Sequence, residues 1–130
     1  MNNDYESTQK LYKDEARARW GDTEAYQASE RRMANYSQDE WNELFTGMDM
    51  IMDGFADLNK RGVAPDHEKP RLQVRKLQMF INEQIYPCSD EILAQLGEMY
   101  VADERFTKDI DKHGEGTAAY ISACIKNYLQ

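Results

Sequence analysis

The side chains able to do chemistry in this chain are few and widely separated. They are Cys88 and Cys124, His67 and His113, and the acidic pair Asp103–Glu104 with Glu98 about one turn upstream. Cys88 follows Pro87 at a helix entrance, where amide dipoles can lower a thiol pKa and make a nucleophile. No His stands in a recognisable relation to it, so the prevailing reading is a small residue packing at a bend. Cys124 lies on an apolar stripe and reads as core. His67, between Asp66 and Glu68 at a helix start, reads as a solvated surface residue, and His113, before Gly114, as a helix-end or loop residue. Two Cys and two His so far apart offer neither a CxxC pair nor a structural zinc set. The carboxylates at 103–104 read as helix capping with a local pair to Arg105. No glycine-rich phosphate loop is present. The chain is therefore expected not to be an enzyme and to carry no cofactor and no metal.

The flat and apolar side chains suggest binding instead. Met48, Met50 and Met52 crowd one helix, with Met50 off its main apolar stripe, and methionine adapts its shape to varied partners. Trp20, Tyr26, Tyr36, Trp41, Tyr86 and Tyr100 add rigid amphipathic area. Two readings stand side by side: a core with gap-filling methionines, or a hydrophobic ligand pocket lined by some of these groups.

These residues must be positioned by helices. Ser37-Gln-Asp-Glu40 has the pattern of a capping box. Trp41, Leu44, Phe45, Met48, Ile51, Met52, Phe55 and Leu58 then follow at steps of three and four, giving a helix that ends near Arg61 with Gly62 as its cap. A second helix starts from Pro65–Asp66, with Pro70 in its first turn and Val74, Leu77, Ile81 and Ile85 inward; Pro87 stops it. Ser89 opens a helix with Ile92, Leu93, Leu96 and Tyr100. Asp103 starts a short one through Phe106 and Ile110. The stretch 113–116 is a loop, and a last helix presents Tyr120, Ile121, Cys124, Ile125 and Tyr128. Residues 4–19 and 23–35 look helical but poor in apolar groups, divided at Gly21–Asp22. Such helices gain little from packing and are marginal alone. The class is all-α, with about six to seven helices in a single domain: residues 36–130 form the core, and residues 1–35, which the resemblance described below makes a mobile lid segment, either dock loosely or need something else to order them.

Composition narrows the partners. The 130 residues carry 16 Lys+Arg against 24 Asp+Glu, a net charge of −8, with 41% hydrophobic residues and a mean hydropathy of −0.86. Residues 1–61 hold 13 acids and 8 bases, and residues 62–130 hold 11 and 8, so neither half hides a basic face. Direct nucleic-acid contact by this chain is therefore not expected, since phosphate contacts need clustered Lys and Arg. No apolar run approaches a membrane span. The opening MNNDYESTQK lacks a basic region followed by an apolar one, and the expected location is cytoplasmic.

The run LGEMYVADERFTKDIDKHGEGTAAYI, Leu96 to Ile121, resembles the TipAS-type antibiotic-recognition domain that stands behind the DNA-binding part of some MerR-family transcription activators. Upstream, Tyr86 and Cys88 match the family's Y-x-C element. The segment RWGDTEAYQASERRMANYSQDEW, Arg19 to Trp41, matches its R-W-G-x-T-x-A-Y pattern and the Tyr-Ser/Thr-x-x-x-W that follows. The resemblance implies a globin-like helical fold without haem. Its pocket would take bulky, largely hydrophobic antibiotics, thiopeptides being the prototype, and the N-terminal helices would close over the ligand. Two departures stand out. In the prototype a cysteine directly before L-G-E-M-Y bonds covalently to a dehydroalanine of the drug; here that position is Gln95, so capture is expected to be reversible. The family's Y-D-C reads Tyr86-Pro87-Cys88, and its preceding His is Ile85.

The resemblance and the aromatic pattern together predict non-covalent antibiotic binding. The chain would be the effector sensor of a MerR-type regulator or a free sequestering protein. Tyr36, Trp41, Phe45, Tyr86, Gln95, Met99 and Tyr100 would form the pocket wall, with Trp20 and Tyr26 on the lid. The rival is a helical protein–protein interaction module. A homodimer is left open.

Overall fold

The Ser37 side chain accepts from the Glu40 amide while the Glu40 carboxylate accepts from the Ser37 amide, at 3.2 and 3.1 Å, so the capping box is present on both sides. Reciprocal bonding of this kind satisfies two of the donors a helix start leaves unpaired. In the computed structural model, which describes residues 17–18 and 21–130, this box begins the longest of six helices. They are α1 (Glu24–Met33), α2 (Gln38–Lys60), α3 (Glu68–Gln84), α4 (Asp90–Ala102), α5 (Glu104–Asp111) and α6 (Thr117–Leu129). Among the described residues there is no strand.

Caps written into the sequence set most boundaries. Thr23, Ser37, Ser89 and Asp103 each accept an amide of the following first turn. Gly62, at φ +74°, takes the left-handed conformation that ends α2 at little steric cost. The second helix starts slightly later than Pro65–Asp66 suggests. His67 is its N-cap, and its Nδ1 accepts from the Lys69 amide at 3.1 Å. His67 is exposed, as its charged neighbours imply, but it also has this structural task. The 4–19 helix of the sequence reading lies outside the described residues except at Arg17 and Ala18, which are helical.

Phe55 of α2, Val74 and Leu77 of α3, Leu93 of α4, Phe106 of α5 and Ile121 of α6 are fully enclosed, and their helices share one core. α4 packs closely on α6, since a Cβ on Gly97 would sit 3.3 Å from two Ile125 atoms. Tyr120 of α6 donates to the Val63 carbonyl after α2 at 2.7 Å. The loop at 113–116 is tied to α2 by His113 Nδ1, 2.7 Å from the Asp53 carboxylate. Among the described residues, no helix is long and apolar enough to cross a membrane.

Candidate functional site

At the start of α2, three aromatic rings form a continuous, half-buried strip. Tyr36 meets Trp41 edge-on, with ring centroids 5.5 Å apart, and Trp41 stacks on Phe45 at 5.9 Å with 22° between the planes. Helical spacing makes the second pair: residues four apart stand on one face. The first pair depends on the extended residue before the cap. The Tyr36 hydroxyl then donates to the Gln84 carbonyl at 2.7 Å, pinning the strip to the end of α3.

Two residues beyond Gln84 the chain enters the core. Tyr86 and Cys88 are buried, together with Met99 and Tyr100 of α4. Burial foremost, then the neighbouring Tyr100 and Cys88, raises the Tyr86 hydroxyl above the usual phenol range. Burial and Cys88 do the same to Tyr100. The Cys88 thiol is pushed up to about 12, mainly by burial and then by the charge of Asp90. This agrees with the reading of Cys88 as a small residue packed at a bend. Ser89, not Cys88, caps α4, and loss of water around the thiol outweighs any help from the helix dipole. Cys124 is likewise raised to about 11 by burial, partly offset by its hydrogen bond with Tyr120.

The predicted residues thus fall into two groups. Tyr36, Trp41 and Phe45 form the half-buried strip, and Gln95 is half-buried on α4. Tyr86, Met99 and Tyr100 lie deeper, in the same buried core as Tyr26, which α1 carries in until it is only 5% exposed. The Tyr26 hydroxyl receives the Arg17 Nε at 3.4 Å. Trp20 lies outside the described residues. Met50 is 69% exposed, as its position off the apolar stripe implies. The predicted pairing of Asp103 with Arg105 is present at 2.6 Å.

Sequence reasoning missed the polar fittings around this region. Arg32 of α1 donates from one nitrogen to the carbonyls of Asn82 and Glu83, at 3.2 and 2.9 Å. Asn82 Oδ1 accepts from the Cys88 amide at 3.0 Å, and Gln78 Nε2 donates to the Cys88 carbonyl at 3.0 Å. The one signal in the sequence was that α3 has no basic residue in its last turn to face its own carbonyls.

A hollow lined by Asp53, Ala56, Asp57, Asn59, Lys60, His113, Gly114 and Glu115 contains none of the predicted wall residues. Among the described residues, no three His, Cys, Asp or Glu groups converge as a metal set. No buried polar side-chain atom there lacks a hydrogen bond, so the interior holds no orphaned group waiting for a polar ligand. What the aromatic strip offers is broad, flat, non-polar contact.

Residues 12–128 match the family model described as the TipAS antibiotic-recognition domain. The HTH-type transcriptional activator TipA of Streptomyces coelicolor is 36% identical over 114 residues, 88% of this chain and 45% of that protein. The HTH-type transcriptional activator mta of Bacillus subtilis is 35% identical over 125 residues, 96% of this chain and 48% of that protein. The chain therefore spans about half the length of these curated relatives. Among solved structures, TipAS of Streptomyces lividans in complex with nosiheptide, studied as a thiopeptide antibiotic multidrug resistance system, aligns with a TM-score of 0.81 and 34% identity. The alignment covers 92% of this chain and 84% of that one. That likeness identifies the all-helical fold as globin-like.

Proposed function

This chain belongs to the family of TipAS antibiotic-recognition domains, and from that premise we propose that it holds a bulky, largely apolar antibiotic by non-covalent contact. The wall would be Tyr36, Trp41, Phe45, Tyr86, Gln95, Met99 and Tyr100, with α1 and Tyr26 folded over the ligand. The observation that carries this reading is the likeness to a domain solved with nosiheptide bound. The aromatic strip supports it, because flat rings give large contact area at low entropic cost. Reversible capture is supported by Gln95, which has no nucleophile, and by the Cys88 thiol, which stays protonated at neutral pH.

The role is that of a non-catalytic sensor, coupled to a DNA-binding part in a MerR-type activator or acting alone as a sequestering protein. The excess of acid over base leaves any contact with DNA to residues other than these. A cytoplasmic location suits either role.

Thermal unfolding with and without nosiheptide tests the proposal. A ligand that binds only the native state stabilises it by about 2.7 kcal/mol at one hundred times Kd. The melting point is expected to rise by several degrees. A flat response to nosiheptide and to a panel of peptide and polyketide antibiotics, in protein that melts cooperatively, defeats the reading. A second reading, a surface for a partner's amphipathic helix, draws on Met50, Leu72 and Met79, all exposed. A shift of tryptophan fluorescence on adding antibiotic alone favours the first.

A further inference from the structure

We propose that Arg32 and Tyr36 fasten α1 to the end of α3, and that this fastening sets the order of the 85–88 bend. They are thus positioning residues for the antibiotic site, and this role rests on that reading of the site.

The carbonyls at the end of α3 leave an unfilled requirement. The amides of Ile85 and Tyr86 both turn back to the Ile81 carbonyl, at 2.9 and 3.0 Å. Pro87 has no amide to give, and the Cys88 amide is taken by the Asn82 side chain. The amides of the 85–88 bend are thus committed elsewhere than to the carbonyls of Asn82, Glu83 and Gln84. All three are satisfied from one place: Arg32 takes the first two, and the Tyr36 hydroxyl takes the third at 2.7 Å. Arg32 also brings a cation to the negative end of a helix that has no basic residue in its last turn.

Asn82 is where this fastening meets the wall. Its carbonyl accepts Arg32 while its side chain holds the Cys88 amide. Gln78 grips the Cys88 carbonyl and the Asp90 carboxylate, both at 3.0 Å, from the preceding turn of α3. The bend that delivers Tyr86 and Cys88 into the core is thus held partly by α1. A physical chain of hydrogen bonds, rather than mere nearness, connects lid and wall. When α1 lifts, the carbonyls of Asn82 and Glu83 lose Arg32, Asn82 is freed to move, and the bend loosens with it.

Hydrogen exchange on the full 130-residue chain, comparing wild type with R32A, R32K and Y36F, tests this. In R32A, amides of residues 27–34 are expected to exchange about fivefold to tenfold faster, the scale of one lost hydrogen bond at an exposed site. The amides of Ile85, Tyr86 and Cys88 speed up in step, while those of α6 keep wild-type rates. Y36F gives the same pattern more weakly, and R32K, which reaches one carbonyl, falls between R32A and wild type. Three results overturn the proposal: unchanged exchange in α1, faster exchange in α1 with the 85–88 amides unaffected, or a uniform rise through α6 with a lower melting point. Nosiheptide binding is a separate arm, in which R32A should release the antibiotic about fivefold to tenfold faster than wild type, by the loss of the same hydrogen bond. Wild type that fails to bind it sinks the functional reading, and the exchange data still decide the fastening.

Discussion

At the residue scale the two thiols and Gln95 make opposite statements about reactivity. Cys88 and Cys124 are raised to about 12 and about 11 from an ordinary 9.0, so both keep their protons in the folded chain where an unfolded chain releases them. Unfolding then releases protons, and stability falls as pH rises. This contribution is fully present below pH 9 and is lost as pH climbs through 11–12. Urea unfolding from pH 8 to 11 should show a falling midpoint, with a shallower fall in Cys88→Ala; an unchanged slope in that variant counts against the buried thiol. Native protein at pH 8 should also react with a thiol-specific disulfide reagent far more slowly than protein in urea. Gln95, in contrast, is half-buried, and the resemblance places it where the prototype's nucleophile would stand. Gln95→Cys is expected to gain covalent capture of a thiopeptide with a dehydroalanine. The thiolate adds across the double bond, a C–S bond forms, and a proton ends on the adjacent carbon with nothing leaving. Intact mass should rise by one antibiotic in the variant only. An unmodified variant would show that position 95 does not face the ligand.

At the scale of elements, the contact of α4 with α6 is set by one missing side chain. A Cβ on Gly97 would already meet Ile125 at 3.3 Å, so Gly97→Val must force the helices apart or bend a rotamer, at a cost of about 1–3 kcal/mol. A urea midpoint equal to wild type would contradict that close approach. α2 was legible almost to the residue, from the Ser37 box to Gly62, because its caps and apolar period are local in sequence. α5 was legible for the same reason, with Asp103 capping it and pairing with Arg105. The aromatic strip was legible by residue type: Trp41 and Phe45 follow from a four-residue spacing, and they do stack. What sequence could not supply were contacts made across fifty residues. Arg32 reads locally as a basic residue in the last turn of α1, yet its partners are carbonyls of α3. Helical spacing likewise says nothing of burial at a bend, so the packed reading of Cys88 rested on the want of a partner His, and the surroundings that make the thiol inert came from the fold. Tyr26 belongs here too. A helix with so few apolar groups predicts weak docking, but one well-placed ring reaches the core.

At the scale of the whole molecule, a strongly acidic exterior encloses an apolar interior, and the two should leave different marks on binding. Antibiotic held by flat non-polar contact gains little from the charge of −8, so affinity should change little between low and high salt. Burial of apolar surface should instead give a negative heat-capacity change, enlarged by whatever part of α1 orders on binding. α1 is the element expected to respond. Among the described residues of α1, Tyr26 reaches the core and Arg32 bonds to α3, whereas α6 is buried along most of its length. On the proposed reading, ligand under α1 would add contacts to this helix. Amide exchange of residues 24–34 should therefore slow on saturation with nosiheptide, while α6, already near the limit of global unfolding, changes only as the whole protein is stabilised. If α1 and α6 slow by the same factor, the antibiotic is stabilising the fold without closing anything over itself, and the lid is lost from the mechanism. If α1 alone slows and the heat-capacity change grows with it, ordering of this helix is the means by which a bound drug changes the molecule's outer shape.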